Sequence, residues 1–405
     1  MSNKNFPSLN EQMDTIRRGT VDLISEEELA KKIEKANGKS LVAKLGADPS
    51  SPDLHLGHAV VLGKLRTFQD LGHEAHLIIG DFTAMIGDPS GRSKTRPMLT
   101  VEETKQNGAT YIEQVSKVLS KERLVIHYNN DWLGKLTFPD VIKLAGSYTV
   151  SQMLEREDFH KRFNEEQPIS LHEFLYPLAQ AMDSVEIKSD IELGGTDQKF
   201  NLLVGRELQR HFGQWPQCIL TMPLLEGTDG VRKMSKSYDN SINFNDSADE
   251  MFGKTMSIPD SAIYKYFLLA TKVNDLDVIK KTLDDGQENP RNIKVRLAKE
   301  IISQFYDVAS ADAALARFEQ MFVKKEAPDN IEELLLPIGS ECVIVDLMVE
   351  MKMATSKGEA RRLIQGGGVS LNGEKVDHEK ATLIPTSEGV ILKVGKRRFL
   401  KVKSA

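Results

Sequence analysis

The chain has 405 residues, 40% of them apolar and 28% charged, enough for about two to four domains that bury their own cores without disulfide or metal staples. Its two cysteines, Cys218 and Cys342, stand far apart in no ligand spacing, which excludes a disulfide-built scaffold and fits a reducing compartment. The N-terminus MSNKNFPSLNEQ lacks the apolar core of a signal peptide, and no apolar run reaches membrane-spanning length, so a cytoplasmic protein is expected.

The net charge of −6 hides an asymmetry. From Met351 onward, twelve basic residues face five acidic ones, a surplus of +7 that leaves −13 on the remainder. A basic tail on an acidic body suits contact with phosphate, although a solvated surface explains the charges equally well.

Strand and helix alternate through the first half. Lys39 to Ala47 reads as a strand, Gly57 to Leu71 as a helix closed by Gly72, and Ala75 to Ile79 as a second strand. Thr100 and Glu103 form a capping box for a helix reaching about Leu119, and Arg123 to Tyr128 is a third strand. The segment 130–166 is more helical and interrupts the alternation as an insertion. Ser170 and Glu173 form another capping box, before a helix through Val185. Short strands at Ser189–Leu193 and Pro216–Thr221 flank a helix from Asp197 to His211. This alternation predicts an α/β fold with a parallel sheet, whose ligands bind beyond the carboxyl ends of the strands. After Asn245 only helical periodicity continues, to Phe322. The polar stretch KKEAPDN (Lys324 to Asn330) suits a linker. Beyond it come helices near Val343–Val349 and Lys357–Gln365, three glycines, and short strands about an Asn372–Gly373 turn. The expected divisions are 1–230, with the insertion at about 130–166; a loop and linker at 231–245; helices at 246–323; a linker at 324–340; and a small α+β domain at 341–405.

Five segments carry chemistry. His55-Leu56-Gly57-His58 falls between the first strand and the first helix, so two imidazoles reach over a helix N-terminus that favours anions. Gly57 there leaves room for a base or ribose to approach the backbone. A pair of histidines is also an ordinary surface feature, and no third metal ligand stands nearby, so no metal site is expected. Lys233-Met234-Ser235-Lys236-Ser237 offers two ammonium groups that can clamp a polyphosphate leaving group. Gly87-Asp88-Pro89-Ser90-Gly91-Arg92 is a glycine turn in which Asp88 suits an ammonium. Tyr176, Gln180 and Asp183 sit at i, i+4 and i+7, on one face of a helix flanked by apolar residues. Asp183 there could accept a hydrogen bond from a substrate hydroxyl. Asp197, in Gly194-Gly195-Thr196-Asp197-Gln198, follows a strand and opens a helix, where a carboxylate can hold ribose hydroxyls. Each segment has a bland reading as surface turn or solvated face; together, most of them at strand-to-helix turns, they are far more specific.

These segments resemble a known family. HLGH is similar to the HIGH signature of class I aminoacyl-tRNA synthetases, and KMSKS matches their second signature letter for letter. LGADPSSPDLHLGH, IGDPSGRSK, YPLAQAMD and GGTDQ resemble the bacterial tyrosyl branch of that class, over about Lys39 to Asn240. SKGEARRLIQGGGVSLNGEKV resembles an S4-type RNA-binding domain. The resemblance implies a Rossmann-like catalytic domain with a helical insertion, an all-α tRNA (anticodon) binding domain and a small α+β S4 domain. It implies ATP contacts from His55, Gly57, His58 and Asp197, with Lys233 and Lys236 closing on the phosphates and Arg92 and Arg96 assisting with pyrophosphate. For tyrosine it implies Asp88, Tyr176 and Gln180 at the amino group, Gln198 near the carboxylate and Asp183 at the phenol. It places Lys44 at the tyrosine site too, where many bacterial relatives carry a tyrosine that also touches the phenol; lysine there resembles a second subgroup of the family. Lys357, Arg361 and Arg362 would meet RNA. The implied partners are tRNA(Tyr), L-tyrosine and ATP with Mg2+ on its phosphates. A homodimer through the insertion, and no membrane, are also implied. Two alternatives remain at this point: a tryptophanyl relative, and a non-catalytic RNA-binding protein on the same scaffold.

Overall fold

The computed structural model describes residues 6–49, 53–90, 108, 110–286, 288–322, 331–395 and 398–404. Two units divide the chain, Met1–Ala311 and Asp312–Ala405.

The first unit is built on six strands: β1 (Asp22–Ile24), β2 (Val42–Ala47), β3 (Glu74–Ile79), β4 (Leu124–Tyr128), β5 (Ile191–Gly195) and β6 (Cys218–Met222). They lie in the order β1-β6-β5-β2-β3-β4. β2 to β6 are parallel, and β1 adds to the edge antiparallel to β6. A parallel sheet is covered on both faces, which is why β6 (CILTM) and most of β3 are apolar and buried rather than alternating. The chain builds outward from β2 through β3 and β4, then returns to lay β5 and β6 on the other side of β2. The switch of direction falls between β2 and β5, and sheets of this kind bind their ligands in a crevice beyond the carboxyl ends of the strands at that point. β1 has three residues and escapes any periodicity argument.

The helix Leu56–Asp70 follows β2 and buries Leu56, Val60, Leu62, Leu65 and Phe68. The Ser170–Glu173 capping box opens a 3-10 turn, Leu171–Phe174, that leads into the helix Leu175–Glu186. Glu173 accepts the Ser170 backbone N–H at 2.8 Å and pairs with Arg162 at 2.6 Å. The helices Leu175–Glu186 and Lys199–His211 share a core of Leu178, Ala181, Val185, Val204 and Leu208. Between β4 and this pair run four short helices, Asn130–Leu133, Phe138–Ala145, Val150–Met153 and Glu157–Asn164. The helices Ala248–Ser257, Ile263–Ala270, Leu276–Asp285 and Pro290–Phe305 belong to the same unit as the sheet. The capping box expected at Thr100 and Glu103 lies outside the described residues.

In the second unit the strands β7 (Glu332–Leu336), β9 (Val369–Leu371), β10 (Glu374–Lys375), β12 (Val390–Val394) and β13 (Arg398–Ser404) form a sheet in the order β10-β9-β12-β13-β7. A second pair joins β8 (Cys342–Val343) to β11 (Thr382–Leu383). Two helices, Ile344–Glu350 and Lys357–Gln365, share its core through Ile344, Met348, Ala360 and Ile364 with Leu392, Leu400 and Val402. Asn372 (φ 48°) and Gly373 (φ 91°) turn β9 into β10, the left-handed pair that an Asn-Gly hairpin requires. Residues 332–336, expected within a linker, instead pair in parallel with β13, because EELLL supplies the apolar side chains that the preceding KKEAPDN lacks.

Candidate active site

The crevice at the switch point has two ends of different character. At one end lie HLGH and KMSKS. His55 is the N-cap of the helix Leu56–Asp70 and bridges to Asn243 in antiparallel fashion, while the Leu56 N–H donates to the Ile242 carbonyl at 2.9 Å. The segment after KMSKS is thereby stitched to HLGH, and Met234 is buried. A methyl at Gly57 would stand 2.9 Å from the His55 ring and 3.7 Å from Met234, so the space that this glycine frees is filled by its own histidine. The two imidazoles stack at 4.0 Å, and the His55 backbone N–H donates to Nδ1 of His58 at 3.1 Å. Burial, then His58 and the two loop lysines, pulls the pKa of His55 down to about 2; burial pulls that of His58 to about 4. Both rings are therefore neutral at pH 7 and meet an anion as N–H donors rather than as cations. The lysines are held by carboxylates: Lys233 pairs with Asp197 at 3.3 Å, and Lys236 pairs with Asp53. Asp53 also accepts from the Asn245 amide at 2.9 Å.

At the other end, Tyr176, Gln180 and Asp183 are all buried on one face of the helix Leu175–Glu186. The Tyr176 hydroxyl donates to Asp48 at 2.8 Å, and Asp48 also accepts from Thr83 at 2.7 Å. Asp183 accepts from the Trp132 indole at 2.9 Å and from the Asn129 amide at 3.3 Å. Burial raises its carboxyl to about 7, against the pull of Lys44, Trp132 and Asn129. Nearby, Asp88 accepts from the Gln198 amide at 2.8 Å and from the Ser90 N–H and hydroxyl. Arg156 donates to the same Ser90 hydroxyl at 2.7 Å and to Asn201 at 3.1 Å.

The structure thus brings together His55, Gly57 and His58 with Lys233 and Lys236, Asp197 with Lys233, and Asp88 with Gln198. It puts Lys44 elsewhere than a pocket wall: the side chain has no exposed surface, and its ammonium bonds Glu192 at 2.9 Å. The ammonium also bonds the Gln180 carbonyl at 2.9 Å and the Ser184 hydroxyl at 2.7 Å, which leaves no N–H for the tyrosine contact expected of Lys44. Arg92 and Arg96 lie outside the described residues. In the second unit Lys357 pairs with Asp346 at 2.8 Å, Arg361 with Glu379 at 3.3 Å, and Arg362 is exposed. Among the described residues no group of three His, Cys, Asp or Glu side chains could hold a metal ion.

Sequence reasoning missed Asp48, Asp53, Asn129, Trp132 and Glu192. Glu192 had a signal: a carboxylate in the middle of an apolar strand needs a buried partner, and Lys44 in the apolar strand β2 is the matching cation. Asn129 and Trp132 open the insertion, and no local pattern says that they turn back to Asp183.

A lysine loop closing over histidines at the switch point of a parallel sheet is the arrangement of the class I aminoacyl-tRNA synthetases. Similarity to known proteins agrees and goes further. Residues 35–323 match the family described as tRNA synthetases class I (W and Y), and residues 325–402 match the tyrosine–tRNA ligase SYY-like C-terminal domain. The chain is 53% identical over 402 residues to a tyrosine–tRNA ligase of Chlorobium luteolum, covering 99% of each chain. It is 55% identical over 394 residues to that of Thermotoga maritima, covering 97% of each. In fold it resembles the crystal structure of tyrosyl-tRNA synthetase complexed with L-tyrosine from Archaeoglobus fulgidus, with a TM-score of 0.62 at 22% identity, covering 76% of this chain and all of that one. The chain belongs to the tyrosine–tRNA ligase family.

Proposed function

We propose that this crevice activates L-tyrosine with Mg·ATP and passes it to the terminal adenosine of tRNA(Tyr). The tyrosine carboxylate attacks the α-phosphorus, the bond to the β-phosphate oxygen breaks, and pyrophosphate leaves with tyrosyl-adenylate formed. A ribose hydroxyl of the tRNA then attacks the activated carbonyl, releasing AMP. No protein nucleophile is required, and the rate comes from orientation and charge stabilisation.

The observation that carries the tyrosine reading is Asp183, a buried acceptor already held by two donors at the end of a polar stripe. A phenol offers it a third hydrogen bond; phenylalanine offers none and buries that carboxylate against an apolar ring edge. Asp88 and Gln180, with Tyr176 held by Asp48, receive the amino group, and Gln198 lies by the carboxylate. His55 and His58 donate to ATP, Gly57 admits it, Asp197 takes its ribose, and Lys233 and Lys236 turn from their carboxylates to the phosphates. Arg92 and Arg96 assist with pyrophosphate. Lys357 and Arg361 exchange Asp346 and Glu379 for RNA phosphate, joined by the exposed Arg362, in an S4-type role for the second unit, while the helices 248–305 meet the anticodon arm. Free Cys218 and Cys342 suit a cytoplasmic setting, and no helix among the described residues is long and apolar enough to cross a membrane.

A homodimer is supported by the helix Phe138–Ala145, which is amphipathic but buries no residue in the single chain. Phe138 is 76% exposed and Ile142 58%, more apolar surface than one helix ordinarily leaves uncovered. Light scattering on Ile142→Asp should return a monomer where the native chain is a dimer; an unchanged mass would discard this face.

Amino-acid-dependent pyrophosphate exchange tests the function. Tyrosine should support exchange; exchange with tryptophan and none with tyrosine would overturn it. A chain ending at Phe322, which removes β7 together with the rest of its sheet, should retain exchange and lose tRNA charging. Retained charging would remove the second unit from tRNA binding.

A further inference from the structure

Lys44 and Glu192 are opposite charges at the centres of adjacent strands, β2 and β5, and are register partners. Neither has any exposed surface. All three N–H bonds of the Lys44 ammonium are used: on Glu192 at 2.9 Å, on the Gln180 carbonyl at 2.9 Å and on the Ser184 hydroxyl at 2.7 Å. Glu192 in turn accepts from the Gln180 amide at 3.1 Å, from the Ser184 hydroxyl at 3.0 Å and from the Gln217 amide. Both the main chain and the side chain of Gln180 are therefore tied to the pair, as is the residue following Asp183.

We infer that Lys44 and Glu192 act as one positioning unit for amino-acid selection, fixing the helix Leu175–Glu186 so that Gln180 and Asp183 present their polar atoms to the substrate. This rests on the reading that those two residues bind tyrosine. An ion pair wholly out of water is a poor way to gain stability, since a well-packed apolar pair of similar volume is commonly as stable. What a charged pair adds is direction: four hydrogen bonds from the pair to Gln180 and Ser184 allow one height and one rotation of the helix, where apolar packing tolerates several.

The pair also brackets Asp183 electrically. Lys44 favours its ionised form and Glu192 opposes it. The other groups facing Asp183 are the Trp132 indole from the helix Asn130–Leu133 and the Asn129 amide beside it; beyond Asn129 stand Thr83 and the Asp48 carboxylate. β3 sets His76, whose pKa burial lowers against the pull of Glu74, next to Lys44.

The test compares Lys44→Met, Glu192→Gln and the double variant Lys44→Met/Glu192→Met in pyrophosphate exchange with tyrosine and with phenylalanine across pH. Lys44→Met should move the acid limb of kcat/KM for tyrosine to higher pH and Glu192→Gln to lower pH. A merely structural pair predicts no such opposition. The double variant should fold, raise KM for tyrosine about tenfold and lower the preference over phenylalanine by a similar factor, the worth of about one good hydrogen bond. KM for ATP should not change. Ser184→Ala, which deletes only the hydroxyl shared by the pair, should show the same split at smaller size and keeps the test where a larger change fails to fold. Native tyrosine KM and preference in the folded double variant, or in Ser184→Ala where the double variant does not fold, would overturn the inference. So would shifts of the same sign in the two single variants, or an equal rise in KM for ATP. Asp183→Asn is measured alongside: if it keeps the tyrosine preference, the reading of the helix itself fails; if it loses preference while the double variant keeps it, only the role of the pair fails.

Discussion

The two ends of the crevice use charge in opposite ways. At the proposed tyrosine end, Asp183, Lys44 and Glu192 are out of water and each is hydrogen-bonded to the protein itself. At the phosphate end, Lys233, Lys236 and their carboxylates are about a quarter to two-fifths exposed, in pairs that water and salt can replace. Buried pairs hold one geometry, because breaking one by removing a partner costs about 3–5 kcal/mol. Exposed pairs are worth about 0–1 kcal/mol and exchange readily. On the proposed assignment, selection of the amino acid is thus pre-set in the interior, while grip on the phosphates is assembled from lysines that change partners.

The largest effect should come from the buried end. Asp183→Ala leaves the Trp132 indole and one of the two Asn129 amide N–H bonds without their acceptor and deletes the only acceptor proposed for the phenol. Tyrosine-dependent exchange should fall by roughly 10⁴, with the preference over phenylalanine collapsing toward unity. An unchanged Tyr/Phe ratio would remove Asp183 from specificity. At the phosphate end, Lys236→Ala should slow adenylate formation by about 10²–10³ in kcat, the usual cost of one charge-stabilising donor. Its melting temperature should stay near native, because the pair with Asp53 is exposed. A melting point that falls while kcat holds would reverse the contrast between the ends.

The pH dependence sharpens it further. Burial raises the Asp183 carboxyl from the ordinary 3.8 to about 7. A phenol donates to the carboxylate, so kcat/KM for tyrosine in the free enzyme should fall about tenfold per pH unit below 7. Stability runs the other way. A carboxyl whose folded pKa is raised contributes stability that is fully present below pH 3.8 and is lost as pH rises through 7. Asp183→Asn should abolish the acid limb and, in thermal melts, gain on the native protein between pH 4 and 7. A native acid limb in Asp183→Asn would assign the titration to another group.

Much of this was legible in the residues themselves. The parallel sheet follows from apolar runs separated by helices, and the positions of HLGH and GGTDQ at strand ends follow from the same alternation. The stripe Tyr176, Gln180 and Asp183 needs only helical spacing. What sequence spacing cannot supply is contact between distant segments. Asn129 and Trp132 lie 54 and 51 residues from Asp183, in a stretch that reads only as the start of an insertion. β1 is too short to announce itself, and Leu334 and Leu336 of β7 stand beside a polar, proline-bearing stretch that draws them into a linker. Lys44 was placed at the tyrosine site by its position among the family's residues, whereas the apolar strand around it points to an internal partner, Glu192.

Asp53→Asn is the smallest change and the most direct probe of the exposed end. Asp53 is held ionised chiefly by its hydrogen bond to Lys236, so in the absence of ATP the loop lysine is already occupied. ATP must displace that carboxylate before Lys236 can reach a phosphate. Asparagine keeps the size and can still accept from the Asn245 amide, but it surrenders the charge. With a pair worth less than about 1 kcal/mol, KM for ATP should fall by about two- to fivefold. KM for tyrosine should not move, since no group of the buried end touches Asp53. Raising ionic strength screens the same pair in the native enzyme, so the difference between the two proteins should shrink with salt. A rise in KM for ATP would mean that Asp53 orients Lys236 for the phosphates rather than competing with them. The phosphate end would then be built like the tyrosine end, with its cation positioned in advance.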